Sequence, residues 1–306
     1  MQNRPGSGAL TRLAADVEHA ISRRLTYDEP GRARAHHLAK AAGWAVHDVI
    51  CSYGPADRPF EEQHSWVSIG IVVAGTFQYR TSRRRELLIP GSLLLGNAGQ
   101  CFECSHDHAA GDRCLAISFL PEYFESIAAD AGARTRSFQV SRLPPLRALA
   151  RVCAQATTGM LNASTVSWGE LALQLAGEAI RAAHGLAEQP LPLNRGAERR
   201  VTESVRSIVH EPAARLSLPE LAAQARLSAF HYLRTFERLT GVTPHQFIMR
   251  TRLREAAARL VADSDRVIEV AYDTGFGDVS NFNRAFRAEF GLSPRRFRAA
   301  HRTEGN

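Results

Sequence analysis

Two segments in the last third of the chain carry side chains whose types and spacing suit contact with DNA bases. Arginine can form two hydrogen bonds with guanine, asparagine can do so with adenine, and an apolar side chain can touch the methyl group of thymine. On helices, these side chains would share one outward face. The predicted DNA-contacting residues are Ala229, Phe230, His231, Leu233, Arg234, Arg238, Ser280, Asn281, Asn283, Arg284 and Arg287. Thr235 is predicted to lie on the same face.

An internal repeat favours DNA contact over the alternative that these side chains belong to an ordinary solvent-exposed helix surface. Residues with the same or similar side chains recur at an offset of 50 positions, which indicates one supersecondary unit used twice. The matched pairs are Ser228 and Asp278, Arg234 and Arg284, Phe236 and Phe286, Gly241 and Gly291, Thr243 and Ser293, Pro244 and Pro294, and Phe247 and Phe297.

Each unit has the pattern of a helix, a turn and a second helix. In the first, a short helix from Leu218 to Ala225 precedes Ser228, whose hydroxyl can cap the next helix. In the second, Gly275 permits a tight turn before the cap at Asp278. The inner faces of the second helices are predicted to be Tyr232, Phe236 and Leu239, and Phe282, Phe286 and Phe290.

Residues 198 to 302 resemble the DNA-binding domain of the AraC/XylS family of bacterial transcription regulators. The stretches that carry the resemblance are LSLPELAAQARLSAFHYLRTFERLTGVTPHQFI and VIEVAYDTGFGDVSNFNRAFRAEFGLSPRRFR. The first turn departs from many such units, because Arg226 stands where glycine is common and would have to adopt a left-handed conformation.

The resemblance implies two helix-turn-helix units, at about 217–239 and 267–290, joined by a helix from Pro244 to about Ala262. That helix would hold both recognition helices for successive major grooves, about 34 Å apart. The implied partners are double-stranded promoter DNA and RNA polymerase, and the implied function is regulation of transcription; an activator is expected, although the sequence alone does not distinguish activation from repression. The implied base-contacting residues are Phe230, Leu233, Arg234, Ser280, Asn281 and Arg284.

Charge and composition agree with two soluble domains. The net charge is +7, and residues 198–302 hold 18 arginines against 12 acidic residues, which gives +6 for that part alone. A basic segment suits phosphate contacts. No apolar run has the length of a membrane span, and residues 1–25 lack the core of a secretory signal. We therefore expect a cytoplasmic protein.

The N-terminal part has a different character. Short β-rich runs between Trp44 and Phe119, separated by turn residues, predict a barrel or sandwich. This region resembles the cupin-like barrel with which many AraC/XylS proteins sense effectors. The predicted fold is α+β, with flanking helices around the barrel and an all-α C-terminal part. The predicted divisions are an arm at 1–35, a sensing domain at 36–125, a helical dimerisation region at 126–187, a linker at 188–197 and the DNA-binding domain at 198–302.

A cysteine and histidine cluster lies within the predicted barrel. It comprises Cys101, Cys104, His106, His108 and Cys114. If the strand continues, Cys104, His106 and His108 point to one side and could bind zinc or another soft metal, with His64 as a further ligand. Redox sensing by the thiols is a second hypothesis. Ordinary barrel residues with no special chemistry are a third.

Three functions remain open. The first is a regulator that forms homodimers through residues 143–185 and responds to an unknown small-molecule, metal or redox effector. The second is a cupin metalloenzyme fused to a DNA-binding domain, although no carboxylate completes an obvious metal triad near His106 and His108. The third is an architectural DNA binder with an inert barrel. Absence of an evident catalytic constellation favours a protein that is not an enzyme.

Overall fold

The computed structural model describes residues 9–82, 84–133, 136–161, 166–184 and 195–301. Within them the chain is α+β, as predicted, with strands gathered before residue 144 and only helices after residue 195. Most of the predicted linker lies outside the described residues, and its last three positions begin a helix. No helix in the described parts of the chain has both the length and the apolar character needed to cross a membrane.

The strands are β1 (Ala33–Ala41), β2 (Trp44–Cys51), β3 (Phe60–Gln63), β4 (Val67–Gly75), β5 (Phe77–Thr81), β6 (Arg85–Leu88), β7 (Leu93–Gly96), β8 (Cys101–Ser105), β9 (Asp112–Phe119) and β10 (Arg142–Leu143). The helices are α1 (Ala9–Thr26), α2 (Pro121–Asp130), α3 (Ala150–Leu161), α4 (Trp168–His184), α5 (Arg195–His210), α6 (Leu218–Gln224), α7 (Ala229–Thr240), α8 (Pro244–Ala262), α9 (Val267–Asp273), α10 (Val279–Phe290) and α11 (Pro294–His301).

The strands form two sheets, in the orders β1-β2-β9-β4-β7-β10 and β3-β8-β5-β6. Strand β1 was not predicted, because nearly all of it is exposed at the sheet edge and its sequence lacks alternating apolar residues. Its pairing with β2 stabilises it instead. Strand β10, in the region predicted to be helical, pairs with β7.

Helices α2, α3 and α4 cover the larger sheet. Their apolar side chains share one buried cluster with side chains of β2, β4, β7 and β9, including Ile69, Ile117 and Phe119. Trp168, Leu175 and other apolar residues of α4 are therefore buried in the core of the same chain. The apolar stripes that suggested a dimer contact are explained by this packing.

The sheet-rich part also packs against the helical part. Leu87 and Ile89 belong to the same buried cluster as side chains of α5, α6 and α7. The guanidinium of Arg142 donates to the carbonyl of Leu239 at the end of α7 (3.1 Å), and that of Arg147 donates to the carbonyl of Ala288 in α10 (2.6 Å). The first helix-turn-helix unit thus has a polar contact with β10 of the larger sheet, and the second has one with the residues just after β10.

Candidate nucleic-acid interface and a buried thiol cluster

The first helix-turn-helix unit is α6 and α7, and α7 begins at Ala229 as predicted. The Ser228 hydroxyl accepts a hydrogen bond from the backbone N–H of His231 (3.3 Å), which satisfies one of the free donors at the helix start. Arg226 has φ +53°, the left-handed conformation expected from the sequence. Tyr232 and Phe236 are fully buried, so the inner face of α7 is its core face.

The second unit is α9 and α10, and α10 begins at Val279 as predicted. The Asp278 carboxylate accepts from the N–H of Asn281 (2.7 Å). In the second unit, the turn residue with a left-handed conformation is Gly275 (φ +89°). It lies 49 positions after Arg226, the left-handed residue of the first turn, rather than 50. The second turn therefore contains one residue more than the first, and the 50-residue repeat applies only from the caps onward.

Helix α8 joins the units and extends from Pro244 to Ala262, as the resemblance implied. Thr243 and Gln246 form a capping box at its start, with reciprocal hydrogen bonds of 3.1 Å. The buried side chains of α8 pack largely with the core of the second unit, which includes Phe282, Phe286 and Phe297. Helix α8 is thus part of a packed core, and this packing fixes the position of α10 relative to α8.

Most of the predicted DNA-contacting residues are exposed. Leu233 is half-buried, and Phe230 has 69% of its surface exposed. Thr235 is buried and donates to the carbonyl of His231 (2.8 Å), so its predicted outward position was wrong. The remaining members are exposed: Ala229, His231, Arg234, Arg238, Ser280, Asn281, Asn283, Arg284 and Arg287.

Arginines of the helical part divide into two groups. Those on α8 have partners within the chain: Arg252 donates to three backbone carbonyls, and Arg259 pairs with Asp265 and Asp273. In the part of the chain that the structure describes, Arg284 and Arg287 on α10 make no such contact, and Arg234 only lies over the ring of Phe230. These groups could not be separated from the sequence, since both consist of arginines on helices.

A groove between α9, α10 and α11 extends the basic surface. It is lined by Arg266, Asn283, Arg284, Arg287 and Arg295, among others. Cations at this position suit phosphate contacts beside a helix that enters a groove of DNA.

The cysteine and histidine cluster is only partly as expected. Strand β8 ends at Ser105, so His106 and His108 follow the strand, and the prediction of one continuous face was wrong for them. Cys104 and His106 are buried, Cys101 is exposed and His108 is half-buried. His64 is directed elsewhere: its Nε2 lies 2.8 Å from the Tyr79 hydroxyl, and burial lowers the pKa of His64 to about 4.

Sequence reasoning missed two members of this cluster, Cys51 and Asp112. They are paired residues on β2 and β9, and Asp112 is the carboxylate that the sequence did not reveal for His106. Of the described side chains, Cys51, His106 and Asp112 form a group with donor atoms within 4.8 Å of one another. Burial, with the nearby Asp112 carboxylate, raises the pKa of the Cys51, Cys104 and Cys114 thiols. Reactive redox thiols have lowered pKa values, so this environment disfavours redox sensing.

Comparison with known families settles the class of protein. The model of the AraC-like ligand binding domain matches residues 48–210, which is more than half of the chain. This chain belongs to the AraC family. A second model, described as a helix-turn-helix domain, matches residues 221–300.

Curated proteins of the AraC family are similar to part of this chain. The regulator MtrA of Neisseria gonorrhoeae is 28% identical over 101 residues, covering 33% of this chain and 34% of MtrA. The activator RhaS of Klebsiella pneumoniae is 39% identical over 79 residues, covering 26% and 28% respectively. The chain thus spans about a third of the length of the curated relatives it matches.

Two solved structures are also similar. The DNA-binding domain of AdpA, in complex with a target DNA, is 31% identical over 33% of this chain and 91% of that one, with a TM-score of 0.32. ToxT from Vibrio cholerae is 12% identical over 85% of this chain and 99% of that one, with a TM-score of 0.36.

Proposed function

We propose that this chain is a sequence-specific DNA-binding regulator of transcription that inserts α7 and α10 into successive major grooves. The observation that carries the proposal is the pair of repeated helix-turn-helix units whose exposed arginine and asparagine side chains share the outward faces of α7 and α10. Arg284 and Asn281 are exposed on α10, and Arg234 is exposed on α7. Helix α8, which joins the two units, supports the proposal. Because it is packed into the core of the second unit, it can hold the two recognition helices in a fixed relation.

Selection of DNA from a random pool by the full chain tests this proposal. We expect enriched sequences with two conserved elements one helical turn apart, about 10 bp centre to centre. Enriched duplexes should bind at least about 1,000-fold more tightly than scrambled duplexes at the same salt concentration. Equal affinity for both would contradict sequence-specific regulation and favour the architectural function.

We propose that the sheet-rich domain senses an effector and adjusts DNA binding. The contacts of Arg142 in β10 with α7, and of Arg147 just after β10 with α10, support this, because a movement at this edge of the larger sheet would reach both units. Activation through RNA polymerase in the cytoplasm is part of the proposal, and the activator RhaS among the relatives supports it. A cupin metalloenzyme is the alternative, and bound iron with oxygen-dependent turnover would favour it.

We propose further that the regulator is a homodimer. Because the inner faces of α3 and α4 are buried, a contact in this region would use outward side chains such as Leu173, which is 43% exposed. We expect light scattering at micromolar concentration to give twice the monomer mass, and Leu173→Asp to lower it towards the monomer. A wild-type chain that is strictly monomeric with and without DNA would contradict the dimer.

A further inference from the structure

The group formed by Cys51, His106 and Asp112 brings together both sheets. Cys51 ends β2 and Asp112 begins β9, and the two are directly paired in the larger sheet. His106 comes from the smaller sheet, immediately after β8. All three are buried, with at most 5% of their surface exposed. The group therefore lies between the sheets, near the end of the barrel where the 106–111 loop joins β8 to β9.

Three ligand-type atoms converge on one another in this group. The Nε2 atom of His106 lies 2.7 Å from Oδ1 of Asp112 and 3.7 Å from Sγ of Cys51. Without a cation, the Asp112 carboxylate accepts from both the Cys51 thiol and the Nε2–H of His106, whereas a cation between the three side chains would bind all of them. Zinc–ligand bonds of about 2.0–2.3 Å place tetrahedral ligands roughly 3.3–3.6 Å apart. The sulfur–nitrogen distance already has nearly this value, and the carboxylate would have to withdraw by about 0.6 Å.

The surroundings suit such a site. The imidazole of His106 packs near the rings of Tyr53 and Phe77, with centroids 6.3 and 6.1 Å away, and this packing restrains it. The other carboxylate oxygen of Asp112 accepts from the thiol of Cys114 (3.4 Å), which orients the carboxylate.

Charge also balances. A divalent cation bound by one thiolate, one carboxylate and one neutral imidazole has a net charge of zero, which a buried site tolerates far better than an isolated ion. The Cys51 thiol would lose its proton to solvent as the cation binds. Arg113, the next residue after Asp112, does not neutralise the group, because its guanidinium is held by Asp48 (2.7 and 2.9 Å).

We propose that Cys51, His106 and Asp112 bind a divalent cation of the zinc class, with Cys114 as the residue that orients Asp112. The proposal concerns cation binding alone and does not depend on whether the chain binds DNA. The set differs from the one that the sequence suggested, since Cys101 and His108 are outside it. Sulfur and nitrogen ligands select zinc or cobalt over magnesium or calcium.

Cobalt titration of the full chain, after removal of metals with a chelator, tests the site. We expect one equivalent of Co²⁺ to produce a near-ultraviolet thiolate-to-cobalt absorption that Zn²⁺ then abolishes. Cys51→Ser and His106→Gln should each weaken binding by about 100-fold or more, because loss of an outer-shell partner alone costs 10- to 100-fold. Matched controls are Cys101→Ser, on an exposed thiol of β8, and Cys153→Ser, on a buried thiol of α3. Both should bind cobalt as the wild type does.

A second measurement keeps the test decisive if a variant folds poorly. Zn²⁺ should raise the unfolding temperature of the wild type and of Cys101→Ser, but not that of Cys51→Ala, because a ligand stabilises only the state that binds it. Absence of the one-equivalent absorption in the wild type would overturn the proposal, whatever the variants do. Loss of the absorption in Cys101→Ser but not in Cys51→Ser would assign the cation to a different set of ligands and overturn it as well.

Discussion

Arg284→Ala is expected to weaken binding to the specific DNA site by about ten-fold or more, with little change in the unfolding temperature. Two hydrogen bonds to one guanine contribute roughly 1–3 kcal/mol of discrimination between bases. The side chain is exposed, and in the described parts of the chain it makes no hydrogen bond or ion pair, so its removal breaks no internal contact. Arg284 is a cleaner test than Arg234, because the latter also lies over the Phe230 ring.

Binding to specific and scrambled duplexes, each at several salt concentrations, distinguishes the roles of Arg284. Contact with a base edge predicts a large loss for the specific duplex and a small loss for the scrambled one. Contact with phosphate predicts equal losses and a shallower salt dependence. Arg136→Ala is the matched control, because it removes the same charge from an exposed side chain in the sheet-rich part, where Arg136 pairs with Glu125.

A fall in unfolding temperature for Arg284→Ala, with the ratio of specific to non-specific affinity preserved, would show that Arg284 has a structural role. The assignment of the outward face of α10 to DNA would then be wrong.

Arg252→Ala is expected to have the opposite effect to Arg284→Ala. It should greatly lower the stability of the fold without a selective loss of discrimination between bases. The guanidinium of Arg252 on α8 donates to the carbonyls of Pro212 (2.7 Å), Ala214 (2.8 Å) and Gly275 (2.9 Å). It therefore ties the segment before α6 to the turn of the second unit. Hydrogen bonds to a charged group contribute about 1.5–3 kcal/mol each, so we expect a loss of about 3 kcal/mol or more.

Thermal unfolding of the full chain measures this effect, and the unfolding temperature should fall by several degrees. Arg252→Lys should recover only part of the loss, because an ammonium group lacks the planar geometry that reaches three carbonyls. Arg199→Ala is the control on an exposed helix surface, since the Arg199–Glu203 pair should contribute only about 0–1 kcal/mol. Unchanged stability of Arg252→Ala would contradict the structural role.

The helix-turn-helix part could be predicted closely from the sequence because its determinants are local. Ser228 and Asp278 lie next to the helices they cap, and Phe236 and Phe286 recur at helical spacing from their neighbours. Both recognition helices therefore begin where the caps predict. Thr235 was misplaced because a threonine can hide its hydroxyl by bonding to the carbonyl four residues earlier, and composition does not reveal this.

The barrel was predictable as a class of fold but not in its pairings. Strand β1 has no alternating apolar pattern, and only its register with β2 makes it a strand. Cys51 and Asp112 are 61 positions apart in the sequence and face each other because of the register between β2 and β9. Strand register depends on long-range backbone hydrogen bonds, which leave no mark on neighbouring residues.

The sequence by itself determined the two repeated units, their caps and their outward arginine and asparagine side chains, since all of these follow from local spacing, and its resemblance to known regulators indicated the family. Only the tertiary structure decided which arginines are structural and which are exposed, because a partner such as the Gly275 carbonyl is distant in sequence from Arg252. Tertiary structure likewise left Cys101, Cys104 and His108 outside the group around His106, and it brought in Cys51, which is 55 positions away in the sequence. The register between β2 and β9 within the larger sheet, rather than proximity along the chain, brings Cys51 to Asp112.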